Sequence, residues 1–129
     1  MTAAAVVYVR DLRRMRDFYE ACFGMSVLES GGDEYCVLAS EDWSVSLVAV
    51  PATIAATWAM TDPPERREET PVKLAFEVAN IEELRAVITR TGGQADPAGS
   101  AWDFRGFQHL DCLDPEGNVV QLRQRLPAG

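Results

Sequence analysis

The stretch "VVYVRDLRRMRDFYEACFG" at residues 6–24 returns in pattern as "AFEVANIEELRAVITRTGG" at residues 75–93. A shift of 69 positions lays Val9 on Val78, Asp11 on Asn80, Leu12 on Ile81, Met15 on Leu84, Phe18 on Val87, Tyr19 on Ile88 and Gly24 on Gly93. Each copy reads as a short strand, an Asp or Asn helix cap, a helix with apolar residues at i, i+3, i+6 and i+7, and a glycine stop. The chain is therefore built on a duplicated strand–helix unit.

Outward from each helix lie extended stretches broken by turn residues. In the first copy they are "SVLES" (26–30), "EYCVLAS" (34–40) and "WSVSLVAV" (43–50), separated by Gly31-Gly32 and Glu41-Asp42. In the second, "GQADPAG" is a poor strand, while "FQHLDCL" and "NVVQLRQ" flank Asp114-Pro115-Glu116-Gly117, whose Pro and Gly suit a hairpin turn. Each half is thus expected to be βαβββ, an α+β class. The expected layout is one domain, with module one at about 3–50, a linker at about 51–71 and module two at about 72–126. The linker's four prolines argue for a loop in part, and "TIAATWAM" within it could form a short helix or lid.

Strand alternation assigns faces. Ala5, Val7 and Val9 match Leu74, Phe76 and Val78, so this apolar set is expected beneath the helices. Ala4, Val6 and Tyr8, with Lys73, Ala75 and Glu77, take the opposite face. In the final hairpin the same parity sends Leu110, Cys112, Val120 and Leu122 to the core, and His109, Asp111, Gln121 and Arg123 away from it.

At 129 residues and 47% hydrophobic composition, the chain has enough apolar side chain for a proper core. A formal net charge of −8 repels phosphate backbones and anionic lipid, so nucleic acid and membrane partners are not expected and a neutral or cationic ligand fits better. The opening "MTAAAVVYVRD" lacks a basic segment, and its apolar run is too short for a signal peptide or span, which reads as cytoplasmic. Cys22, Cys36 and Cys112 are odd in number and far apart, so buried thiols are expected in place of a disulfide framework or zinc cluster.

The repeated unit, the opening "VVYVRDLRRMRDFYEACFGM", the second "VKLAFEVANIEELRAVI" and the closing "DPEGNVVQL" resemble the vicinal oxygen chelate superfamily of glyoxalases, bleomycin and fosfomycin resistance proteins and extradiol dioxygenases. The resemblance implies two tandem modules forming a curled mixed sheet around a cleft, with the helix-distal face as its lining. It also implies a homodimer. Catalytic members hold a divalent metal at positions that fall here on Ala4, about Ser46, Lys73 and Gln121. Alanine has no donor atom, an ammonium repels a cation, and a hydroxyl and a neutral amide are poor ligands beside imidazole and carboxylate. Neither a metal nor another cofactor is expected.

His109, the sole histidine, stands two residues before Asp111, so both project from one strand face roughly 6 to 7 Å apart. They read either as exposed strand residues, with Asp111 pairing to Arg123, or as cleft lining, where His109 acts as acid or base with Asp111 raising its basicity. Tyr8, Trp58, Trp102 and Phe104 are fillers singly and together suit a planar or amphipathic ligand. The expected binding set is Tyr8, Ser46, Trp58, Lys73, Glu77, Trp102, Phe104, His109, Asp111, Gln121 and Arg123. Two functions follow. The favoured one is metal-free sequestration of an amphipathic, aromatic or cationic natural product, as in drug resistance or self-resistance. The other is a lyase, isomerase or dioxygenase working through a displaced metal or through His109 and Asp111.

Overall fold

A computed structural model describes residues 3–128. The chain divides into two compact units between Met60 and Thr61, inside the expected linker. Among the described residues no helix is long and apolar enough to cross a membrane.

The first unit contains β1 (Ala3–Val9), α1 (Leu12–Phe23), β2 (Ser26–Gly31), β3 (Tyr35–Ala39), β4 (Trp43–Ala49) and a single helical turn, α2 (Ala52–Ala55). Its sheet has the order β1-β4-β3-β2, with β1 parallel to β4 and the rest antiparallel. The Asp11 carboxylate accepts from the Arg14 N–H at 3.1 Å, and Gly24 at φ 61° ends the helix by donating to the Glu20 carbonyl. Met15, Phe18, Tyr19 and Cys22 on α1 pack on Cys36, Leu38, Val45 and Leu47 of the sheet, all buried. Register confirms the parity: Val7 pairs with Leu47 on the helix side, and Val6 with Ser46 on the other.

The second unit contains β5 (Leu74–Glu77), α3 (Ile81–Arg90), β6 (Gln94–Ala95), a 3₁₀ turn (Ala98–Ser100), β7 (Trp102–Phe104), β8 (Phe107–Leu113) and β9 (Val119–Arg125). Its order is β5-β9-β8-β6, with β7 added alongside β8. The Asn80 side chain caps α3 from the Glu83 N–H at 3.0 Å, and Phe76, Ile81, Ile88, Leu110, Cys112, Val120 and Leu122 form the buried layer.

Two expectations for this unit are corrected. The second helix does not stop on Gly93: Thr91 is its cap, and the left-handed residue is Gly92 at φ 93°. The unit also exceeds βαβββ by one strand. "GQADPAG" yields only the two residues of β6, and β7 returns onto β8 through a two-residue turn, Arg105-Gly106, with φ of 51° and 85°. Two successive positive φ values make this the type of hairpin turn whose twist matches the flanking strands.

The turn joining β8 to β9 is buried. Asp114 is fully enclosed, and its carboxylate accepts from the Glu116 N–H at 2.9 Å, the Asn118 N–H at 3.0 Å and the Asn118 amide at 2.8 Å. The linker straps across it: the Arg67 N–H donates to the Gly117 carbonyl and Arg67 Nε to the Glu116 carbonyl, both at 2.9 Å. Arg66 anchors the same strap by an ion pair to Asp96. These contacts fix the hairpin that carries His109, Asp111, Gln121 and Arg123.

Candidate functional site

Strand register assembles the site on the helix-distal face of the second unit. On β8 and β9, His109 lies opposite Arg123 and Asp111 opposite Gln121. β5 places Ala75 beside Gln121 and Glu77 beside Arg123, while β7 places Trp102 beside His109. Register partners share a face, so these side chains converge although Lys73 and Arg123 stand 50 positions apart in the sequence.

Lys73, just before β5, reaches across to Asp111, with Nζ at 3.0 and 3.1 Å from its two carboxylate oxygens. The same ammonium lies 5.4 Å from the Trp102 ring centre. Trp102 in turn stacks on the His109 imidazole at 5.2 Å and 15°. Phe104 and Phe107 close the box at 6.3 Å each, leaving His109 only 4% exposed. His109 Nε2 lies 3.2 Å from the Phe104 carbonyl, while Nδ1 is shielded and without a partner. Arg123 and Arg125 place their guanidiniums 5.1 and 4.9 Å from the Phe107 ring, and Arg125 also meets Glu77 at 3.6 Å.

Eight of the eleven expected residues thus lie in this unit: Lys73, Glu77, Trp102, Phe104, His109, Asp111, Gln121 and Arg123. Tyr8, Ser46 and Trp58 belong to the first unit. There Tyr8 is exposed on β1, Ser46 sits on the helix-distal face opposite Val6, and the carbonyl of half-buried Trp58 accepts from Arg10 Nη1 at 3.3 Å.

Neither anticipated pairing of Asp111 forms: Lys73 takes it, not Arg123, and His109 turns to Phe104 instead of Asp111. Phe107 and Arg125 were missed, although both share the parity of His109 and Arg123. Lys73 also borders an open hollow of about 410 Å³, lined with Arg66, Arg67 and Val119. The strap residues there carried no sequence signal for a site.

The metal positions implied by the family pattern do not fit a divalent ion. Lys73 is an ammonium already neutralised by the nearest carboxylate, Gln121 offers a neutral amide, Ser46 a hydroxyl and Ala4 nothing. Among the described residues no three His, Cys, Asp or Glu side chains are grouped to hold a metal ion.

A family model for the Glyoxalase/Bleomycin resistance protein/Dioxygenase superfamily matches residues 2–122. Among solved structures, a glyoxalase/bleomycin resistance protein/dioxygenase family enzyme from Burkholderia phytofirmans is similar, with a TM-score of 0.72 and 21% identity over 95% of this chain and 97% of that one. A glyoxalase-related enzyme from Fulvimarina pelagi gives 0.68 and 19%, covering 100% and 92%. A fosfomycin resistance protein from Mesorhizobium loti gives 0.63 and 14%, covering 98% and 91%. At these identities the likeness speaks for the fold. No curated protein matches the chain.

Proposed function

We propose, from the premise that this chain belongs to the Glyoxalase/Bleomycin resistance protein/Dioxygenase superfamily, that it binds a small amphipathic molecule without a metal, on the helix-distal face of its second unit. The observation that carries this reading is the Lys73–Asp111 ion pair, which puts a cation where catalytic relatives would need a metal donor. Around it, Trp102, Phe104 and Phe107 supply aromatic surface, and Gln121 and His109 supply polar groups. Such a face holds a planar molecule by stacking and a few directed hydrogen bonds.

The aromatic part of the ligand expectation stands ahead of the cationic part. Lys73, Arg123 and Arg125 outnumber Glu77 and Asp111 on this face, so the chain's overall −8 is a poor guide to the charge of what binds here. Sequestration of such a molecule, in drug or self-resistance, is the function we assign. A homodimer is part of the same reading. β2 is an edge strand exposed along most of its length, with Leu28 at 72%, and strand edges of this kind invite isologous pairing.

The test is elemental analysis of purified protein together with mass spectrometry of small molecules that travel with it. The expected result is no stoichiometric zinc, nickel, iron or manganese and an aromatic organic ligand. About one tightly held metal per chain would overturn the reading. Light scattering at micromolar concentration is expected to give twice the chain mass, and a monomer would remove the dimer from it.

A further inference from the structure

His109 Nε2 faces the Phe104 carbonyl at 3.2 Å. A carbonyl only accepts, so this contact keeps the proton on Nε2 and leaves Nδ1 as a bare acceptor. Nδ1 is shielded from solvent and has no partner. Directly opposite on β9, Arg123 is in the complementary position: its Nε–H is a donor, also shielded and also without a partner. Native interiors rarely leave such groups unsatisfied, and here two of opposite sense stand at one register pair on one face.

We propose that His109 Nδ1 and Arg123 Nε form a hydroxyl-binding subsite, in which the ligand's O–H donates to Nδ1 and its oxygen accepts from the Arg123 Nε–H. The assignment rests on reading this face as the ligand surface and deepens it by naming a group the ligand carries. A hydroxyl is both donor and acceptor, so one atom satisfies both sites. A carboxylate offers only acceptors and would leave Nδ1 bare, while an ammonium offers only donors and would oppose Arg123. The ring bearing the hydroxyl has a place as well. Trp102 lies parallel to the imidazole at 5.2 Å on β7, an exposed three-residue strand held to the sheet by β8 alone. When Trp102 turns outward, a planar ligand ring takes its position against His109.

The experiment uses the ¹⁵N-labelled full chain at pH 8, where an ordinary imidazole is neutral. His109 is the only histidine, so its two ring nitrogens give an unambiguous signal pair. The probes are benzyl alcohol and benzyl methyl ether, alike in ring and different in the donor proton. The expected result is Nε2 protonated and Nδ1 bare in the free protein, a shift at Nδ1 on adding benzyl alcohol, and about fivefold tighter binding of the alcohol than of the ether, as for one hydrogen bond. His109→Phe, which retains a flat ring, is expected to erase that preference, whereas Arg123→Lys, which retains the charge, is expected to weaken both probes alike, since the oxygen of each accepts from the Nε–H. A protonated Nδ1 in the free protein, equal affinities for the two probes, or no Nδ1 shift at saturating alcohol would overturn the subsite. A co-purifying ligand that leaves Nδ1 unmoved would overturn it too, while leaving the broader binding function intact.

Discussion

The two units share strand order and face parity, yet they present opposite chemistry on the side away from their helices. In the first, that face carries Val6, Tyr8, Val37, Ser44, Ser46 and Val48, with one acid, Glu29, bonded to the Tyr35 hydroxyl at 2.6 Å. In the second it carries Lys73, Glu77, Asp111, Gln121, Arg123 and Arg125 among three aromatic rings. The helix-side residues of both are apolar and buried, because both must fill the space under a helix. The distal face is under no such constraint. Duplication thus supplied a scaffold twice, and the polar chemistry was concentrated on one copy.

The comparison breaks most severely if the strapped turn is lost, since among the described residues of the first unit no arginine strap like that of Arg67 crosses the equivalent turn. Gly117 sits at φ 84°, and a Cβ there would meet the Glu65 carbonyl oxygen at 2.0 Å. Gly117→Ala therefore combines a left-handed backbone penalty with a backbone clash, and is expected to cost about 3 kcal/mol in urea unfolding. Its hydrogen-exchange signature should centre on β8, β9 and residues 65–67. Uniform loss of protection across both units would show that the turn supports more than its own copy.

A smaller effect is expected from the ion pair. Lys73 is 39% exposed at its side chain and Asp111 16%, so solvent screens the attraction in part. Lys73→Ala is expected to cost about 1 kcal/mol, with a coupling to Asp111→Asn of similar size in a double-mutant cycle. At the equivalent position of the first copy, Ala4→Lys should change stability by less than about 0.5 kcal/mol, because Ala4 is exposed and its register partner is Ser44. Equal responses at Ala4 and Lys73 would erase the contrast between the faces.

What the sequence disclosed follows the same division. The helices were legible because caps and apolar spacing are local: Asp11, Asn80 and Gly24 act within four residues of their partners. The final hairpin was legible because alternation sorts Leu110 from His109 without knowledge of anything distant. β7 was not, since Trp102-Asp103-Phe104 is too short to show a period, and its turn places a positive φ on Arg105, a residue type that gives no warning of it. The Lys73–Asp111 pair spans 38 positions and the Arg67 strap 49. Contacts of that separation depend on sheet order, which parity assigns to a face but not to a partner. The shared face of these residues was therefore readable from the sequence, and the bonds between them were not.

The smallest expected effect lies on the first unit's face and concerns its single acid. Tyr35 pairs with Gly31 across β2 and β3, and its ring crosses the space a Gly31 side chain would occupy, which lets the hydroxyl reach Glu29. Donation to the Glu29 carboxylate, and then that group's negative charge, raise the Tyr35 pKa above its ordinary 10.0. The protonated phenol is the form the fold favours, so this contribution to stability is complete below pH 10 and fades as pH rises through the raised value. Wild type is therefore expected to hold a slight advantage over Tyr35→Phe at neutral pH and to lose it in strongly alkaline solution. Glu29→Gln removes the charge and should return the Tyr35 titration, followed by its ring resonances, toward the ordinary value. If that titration already sits at the ordinary value in wild type, the hydroxyl is not held, and Glu29 stands as an unengaged acid on a face otherwise apolar or weakly polar.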